Sequence, residues 1–343
     1  MPVPSKTVQP GELILVTGVS GYIGSHVADQ ALRAGYRVRG VVRNPIKDAW
    51  VKKAFDQKYG ERKFELSHVP DMTANGALEE AVRGVSGIAH VATILPVPVT
   101  PEPYIPNVIK ITLNVITAAK GEPTVKRIVC TSSSMAAANP APDVERTITV
   151  DSWNEDVIRD AWKEPFDTTN VMNVYGASKT LCERAAWQWV QKELPHFDLA
   201  FILANTNFGP VVESHPVGFA STSNMLKHAF EGNIEAVLDD PPQYFVDVRD
   251  TARLHLAALI DLNVVNERIY AFAEPYNWNK VLAILRTSYP ERSFPQDIQG
   301  LGSDIGIYPR DRAGSILRAF KNDGWTTLEQ SILDTFTAVK LDQ

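Results

Sequence analysis

Leu13-Ile-Leu-Val-Thr-Gly18-Val-Ser-Gly21-Tyr-Ile-Gly24-Ser-His26 is the stretch that decides the fold. The segment from Glu12 to Thr17 is a continuous apolar run closed by Gly18, the pattern of a strand buried on both faces of a parallel sheet. A helical pattern follows from Tyr22 to Ala34 and stops at Gly35. Between the two stand Gly18, Gly21 and Gly24, a GxxGxxG run in the strand-turn-helix setting that gives such a run meaning. The first glycine permits a tight turn, the second lets a pyrophosphate approach the backbone, and the third lets helix and strand pack closely. Free N–H groups and the positive end of the helix then face the phosphates. Gly18, Ser20, Gly21, Tyr22, Ile23 and Gly24 are therefore the expected dinucleotide contacts.

Outward from this unit the alternation continues. Tyr36 to Val42 reads as a strand, Lys47 to Lys58 as a helix and Phe64 to His68 as a third strand. Leu78 to Val82, Gly87 to Val91, Val108 to Ala119 and Arg127 to Cys130 extend the rhythm. Strands alternating with helices at this spacing predict βαβ units and an α/β, Rossmann-type, doubly wound parallel sheet. The Pro-rich segment Pro96 to Pro106 reads as a loop. A long helix is expected from Val174 to Glu193 and a sixth strand from Leu199 to Leu203. After about residue 205 the rhythm loosens. Residues 1–205 are accordingly assigned to a dinucleotide-binding domain and 206–343 mainly to a smaller α/β substrate lobe. A segment near 243–262 is expected to return to the first lobe, because Tyr244 to Val248 is strand-like and runs into a helical pattern from Asp250 to Leu262.

An acid at the end of the second strand would hold the ribose 2′-hydroxyl of NAD. None is there. The chain offers Arg37, Arg39 and Arg43 instead, with Arg43 at the strand's end, where a guanidinium can pair bidentately with a 2′-phosphate. This predicts NADPH. Asp71 and Met72, after the third strand, are placed to meet the adenine.

Tyr175-Gly-Ala-Ser-Lys179 sets a phenol and an ammonium four residues apart, on one face of the long helix. A nearby cation favours phenolate and brings proton exchange with a carbonyl oxygen toward the working pH range. Strand five ends in Cys130-Thr131-Ser132-Ser133-Ser134, so hydroxyls stand at the same sheet edge, where one can donate to a developing alkoxide. In Asp247-Val-Arg249-Asp250, Asp250 is expected to cap a helix and Arg249 to form an ion pair.

The composition excludes several other classes. A net charge of -6 lacks the basic footprint of a nucleic-acid binder. Cys130 and Cys182 stand far apart, with no Cys-x-x-Cys and no His cluster at ligand spacing, so neither a disulfide framework nor a metal site is expected. No apolar stretch is long enough for a membrane span, and residues 1–9 resemble neither a signal nor a transit sequence, so cytoplasm is the expected location. Oligomeric state is left open.

With the glycine turn, the hydroxyl-rich strand end and the Tyr-Lys pair in hand, the chain resembles an extended short-chain dehydrogenase/reductase. It is most similar to the dihydroflavonol-reductase-like branch and to fungal and yeast NADPH-dependent aldehyde and carbonyl reductases. Val38 to Asn44, Asn107-Val108, Thr131-Ser132-Ser133 and Phe245 to Asp250 share in that likeness. The resemblance implies that Tyr175 is the general acid, that Lys179 holds the nicotinamide ribose, and that Ser133 binds the substrate carbonyl. It also implies that Thr131 and Ser132 meet the cofactor, that Val91, Ala92 and Thr93 line it, and that Asn205 and Asn207 pass under the nicotinamide. Ala204 stands where these reductases often have proline. Asn107 or Asn114 is a possible further member of a proton relay.

The expected function is reduction of a small carbonyl substrate, neutral and hydrophobic, because between Phe208 and Val246 the only basic groups are Lys227, His215 and His228. A nucleotide-sugar epimerase or dehydratase of the same superfamily is the alternative. Those enzymes typically carry an acid where Arg43 stands and a Ser-Ser-x-x-x-Tyr-Gly run where this chain has Ser133-Ser134-Met135-Ala136-Ala137. A non-catalytic dinucleotide sensor is the third reading, and it would be expected to have lost the Tyr-Lys pair.

Overall fold

The computed structural model describes residues 6–94, 100–212, 215–216, 218–321 and 323–338. Strand β1 (Leu13–Thr17) alternates its side chains between two apolar layers: Ile14 and Val16 enter one, Leu13 and Leu15 the other. Both layers are closed to water, which is why the run carries no polar residue until Thr17. Around it, β2 (Arg37–Val42), β3 (Phe64–His68), β4 (Gly87–His90), β5 (Arg127–Ser133) and β6 (Asp198–Ala204) pair in parallel in the order β3-β2-β1-β4-β5-β6, and a later strand completes a seven-stranded sheet.

One face of this sheet is covered by α1 (Tyr22–Arg33) and α2 (Ala49–Tyr59), the other by α3 (Glu79–Val82), α4 (Pro101–Lys120) and α6 (Val171–Glu193); α5 (Glu155–Asp160) packs against α6. The expected loop from Pro96 to Pro106 is corrected. Its first residues lie outside the described set, but helix begins at Pro101, with Glu102 alone out of helical geometry at φ −106° and ψ 136°. Proline fixes φ near the helical value and is tolerated in a first turn, so a Pro-rich stretch can start a helix as readily as avoid one.

Beyond residue 205 the chain forms β7 (Thr206–Phe208), α7 (Ser223–Phe230), β8 (Gln243–Asp247), α8 (Val248–Ile260), β9 (Arg268–Ala271), β10 (Glu274–Tyr276), α9 (Trp278–Ser288), α10 (Asp311–Lys321) and α11 (Leu328–Ala338). The segment expected to return near 243–262 divides. Strand β8 pairs with β7 and β10 in a separate three-stranded sheet, whereas α8 packs on α1 and the first lobe's core. The strand that rejoins the large sheet is β9, beside β6. The small sheet has its own core of Phe208, Phe245, Tyr276 and Trp278. The cap of α8 is also corrected: Asp247 accepts from Arg249 N at 2.8 Å, while Asp250 sits inside the helix and takes Arg253, Lys321 and Thr326 N. Arg249 is ion-paired as expected, with Asp247 and Asp334.

Candidate active site

The β1–α1 turn is shaped by close approach. Gly18 has φ +66°, and a Cβ there would lie 3.0 Å from the Ala92 backbone. A Cβ on Gly24 would fall 2.1 Å from Gly18 O, so helix and turn touch directly. Gly21 caps α1 with no side-chain hydrogen bond, which leaves the first-turn N–H groups open to an anion. Thr17 joins this turn to the end of β4. Its Oγ1 accepts from Val91 N and Ala92 N, both at 3.1 Å, so its own proton goes to His90 Nδ1 at 2.8 Å. His90 is thereby held as the tautomer that donates from Nε2 to Thr112 Oγ1, and burial, together with the charge of Lys179, lowers its pKa to about 3.

At the end of β2 the three arginines separate. Arg37 donates to Gly11 O, and Arg39 is held by Glu65 and the carbonyls of Ala81 and Arg83. Arg43 is exposed and, among the described residues, makes no hydrogen bond or ion pair. Its guanidinium is therefore available to a ligand. The two residues placed near an adenine differ: Asp71 is exposed and binds Thr73 through Oδ1, while Met72 is buried in the core. Asn114 donates to Met72 O and Ala74 O and so fastens this loop.

The end of β5 presents three consecutive hydroxyls with three different partners. Thr131 Oγ1 donates to His255 Nε2 at 2.7 Å, since the imidazole's Nδ1–H is used on Thr251 O. Ser132 Oγ donates to Glu183 Oε2 at 2.9 Å. Strand alternation thus turns Ser132 toward α6, on the face opposite Thr131 and Ser133. Ser133 Oγ accepts from Met135 N at 3.2 Å, which leaves its own proton free to donate. Lys179, buried on α6, donates to Thr131 O at 3.2 Å and stands 5.8 Å from the centre of the Tyr175 ring. Tyr104 is nearby, but burial pushes its pKa up to about 12 and its hydroxyl is used on Ile94 O at 3.0 Å. A void of about 10 Å³, roughly one water, is lined by His90, Thr93, Thr112, Thr131, Lys179 and Cys182.

On the opposite side, Asn207 donates to Asn205 O and accepts from Thr251 Oγ1, which makes the two asparagines a braced turn between β6 and β7. Tyr22 OH bonds Gly209 O, and His26 donates to Pro210 O at 2.8 Å, so α1 itself holds the chain leaving β7. Val174 and Phe208 are wholly buried core residues, whereas Met172 is 56% exposed. Glu183 and Tyr104 are not singled out in the sequence, where His255 reads as a histidine on an apolar helix face with no metal or triad role. Glu183, one turn beyond Lys179 on the same helix face, leaves a signal there, and Tyr104 leaves none.

Residues 14–272 match the NAD dependent epimerase/dehydratase family. The chain belongs to that family. This epimerase/dehydratase family member is 36% identical over 335 residues to aldehyde reductase 2 of Sporidiobolus salmonicolor, covering 97% of each chain. It is 37% identical over 331 residues to ketoreductase adrE of Penicillium rubens, covering 95% of this chain and 96% of that one. In structure the family member is similar to the yeast methylglyoxal/isovaleraldehyde reductase Gre2 complexed with NADPH, at TM-score 0.80 and 21% identity over 95% of this chain and 98% of the other, a likeness of fold. Among the described residues no helix is long and apolar enough to cross a membrane, and no cluster of His, Cys, Asp and Glu suits a metal ion.

Proposed function

We propose that this protein is an NADPH-dependent reductase of neutral, hydrophobic aldehydes and ketones, with the dinucleotide held by residues 1–205 and the substrate mainly by residues from 206 onward. The observation that carries the reading is the convergence at the end of β5: Ser133 with a proton to give, and the Lys179 ammonium beside the Tyr175 phenol. Relatives named aldehyde reductase and ketoreductase, aligned over nearly the whole chain, support it. The cofactor fits the residues present: an uncapped helix start for the pyrophosphate and an unpaired Arg43 for the 2′-phosphate. When bound, NADPH supplies the hydride that goes to the carbonyl carbon. Ser133 holds the carbonyl oxygen, Tyr175 gives it a proton, and Lys179 stabilises the phenolate left behind.

The substrate class rests on charge and exposure. Between Phe208 and Val246 the one lysine, Lys227, stands 3.7 Å from Glu231, and the next cation, Arg249, is paired with Asp247 and Asp334, so a diphosphate along that stretch would be desolvated with few charged partners. Met172, in the first turn of α6 three residues before Tyr175, is 56% exposed. Apolar surface of that kind gains about 25 cal/mol per Å² when a hydrophobic ligand covers it. The test is NADPH oxidation across a panel of aryl ketones, aliphatic aldehydes and β-ketoesters, with NADH in parallel. Turnover of the apolar members is expected. Micromolar binding of a UDP- or GDP-sugar, with no NADPH oxidation across the panel, overturns the reading.

A further inference from the structure

Lys179 and Glu183 stand one turn apart on α6, both buried, at the spacing where an ammonium and a carboxylate ordinarily pair. They are held apart. Lys179 Nζ turns to Thr131 O, while Glu183 is claimed from other strands: Arg268 Nε on β9 donates to its Oε1 at 2.7 Å, and Ser132 Oγ on β5 donates to its Oε2 at 2.9 Å. Arg268 is itself nearly buried. Its Nη1 serves Val150 O and Ser152 O at 2.6 and 2.7 Å, and its guanidinium stacks 4.0 Å from the Trp153 ring centre.

We propose that Glu183 and Arg268 are positioning residues for proton delivery: the pair fastens α6 to β5 beside Ser133 and keeps a carboxylate off Lys179, whose charge is left to Tyr175. The inference rests on Tyr175 and Lys179 acting as proposed above. Ser132 and Ser133 are adjacent on β5, and Glu183 shares its helix face with Lys179 and Tyr175. Fixing the Glu183 carboxylate on Ser132 therefore fixes the rotation of α6 against the hydroxyl that meets the substrate. Arginine suits the post because one planar fork reaches the carboxylate and two carbonyls at once, which a single ammonium cannot. A buried pair of this kind gives little net stability, but removing either partner leaves the other charge buried and unbalanced.

The groups around the site leave its charges simple. Lys179 faces His90 on β4, Cys130 on β5, and Cys182 and Tyr175 on its own helix; Tyr104 on α4 faces Tyr175, and Tyr270 on β9 faces the Arg268–Glu183 pair. Burial keeps His90 neutral and raises the thiols of Cys130 and Cys182. Arg184, also on α6, is turned outward to Glu155. Beyond Lys179, Glu183 and Arg268, the charged groups that approach are Asp151, which faces Tyr270, and Arg184, which shares the Trp153 ring with Arg268.

The test is the pH at which kcat/KM for carbonyl reduction falls on the alkaline side. Glu183→Gln leaves the guanidinium unbalanced and favours phenolate, so the fall is expected at lower pH. Arg268→Gln leaves the carboxylate unbalanced and opposes phenolate, so the fall is expected at higher pH. Eight residues of helix span about 12 Å, which limits each shift to about one unit. The double variant is expected near the parent value. A shift of both single variants in the same direction, or of neither, overturns the proposal. Where the neutral variants do not fold, Arg268→Lys decides: a lowered kcat with an unmoved pH limit and an unchanged KM for NADPH supports the assignment, and an unchanged kcat overturns it. Tyr175→Phe run alongside separates the two readings. If it keeps the parent's rate and alkaline fall, the assignment of Tyr175 fails, whatever the charge variants do.

Discussion

Thr131, Ser132 and Ser133 are three chemically similar residues in a row with three different partners, and alternation along the strand sets Ser132 on the face opposite the other two. Sequence order alone could not separate them. The partner of Ser132 lies 51 residues away and that of Thr131 lies 124 away, on helices whose placement only the fold determines. The Tyr175–Lys179 pair was legible because it is local. At this scale Tyr175→Phe is expected to leave folding and NADPH binding intact and to lower kcat by about 10²- to 10⁴-fold, the usual loss when a general acid is removed. Lys179→Met is expected to impair both turnover and cofactor affinity. Single-turnover reduction and a fluorescence titration of NADPH check the two. Arg43→Glu replaces an unpaired guanidinium with a carboxylate that repels a 2′-phosphate. The measured ratio of kcat/KM for NADPH over NADH is expected to fall by about tenfold or more.

Among elements, the β1–α1 junction shows a fold written almost wholly in short-range pattern. Its apolar run, its glycines and its helix stop are contiguous, and each has a steric reason in the structure. Gly24→Ala would set a methyl 2.1 Å from Gly18 O, a contact with backbone that only displacement of α1 can relieve. Its expected signature is a lower Tm together with loss of NADPH binding, in contrast to Arg43→Glu, which leaves Tm unchanged. The helix that begins at Pro101 was hidden for the opposite reason. Proline speaks for a loop in composition and for a helix start in geometry, and the choice depends on what the following turns pack against. Strand β8 misled in a third way: its apolar pattern is that of a buried strand, and nothing within it specifies which of two sheets will bury it.

Across the whole molecule three buried histidines tie the parts together. His26 joins α1 to Pro210, His90 joins β4 to Thr17 and Thr112, and His255 joins α8 to Thr131. Burial lowers their pKa values from 6.5 to about 4, about 3 and about 4 respectively. Each is neutral in the folded chain and takes up a proton on unfolding below 6.5. Their contribution to stability is therefore complete above pH 6.5 and is lost as pH falls toward 4. Each costs about 1.4 kcal/mol per pH unit within that window. Chemical denaturation at pH 5 and pH 7 is expected to show a steep loss of stability at the lower value. Exchanging His255 for a neutral residue that still accepts from Thr131 is expected to flatten part of it.

The large sheet reaches its last strand only at Arg268–Ala271, after the chain has left through β7 and β8 to build the small one. On an emerging polypeptide, β6 would wait with one edge unpaired until some sixty further residues had been made, a row of open N–H and C=O groups ready to pair with a neighbouring chain. The two lobes are therefore not separable in the gene. A piece ending near residue 205 would carry the complete glycine turn and yet stop at an unguarded border. In an exchange between relatives the small sheet cannot travel as the stretch between β6 and β9 alone, because β10, α9 and α11, which complete its sheet and core, all follow β9.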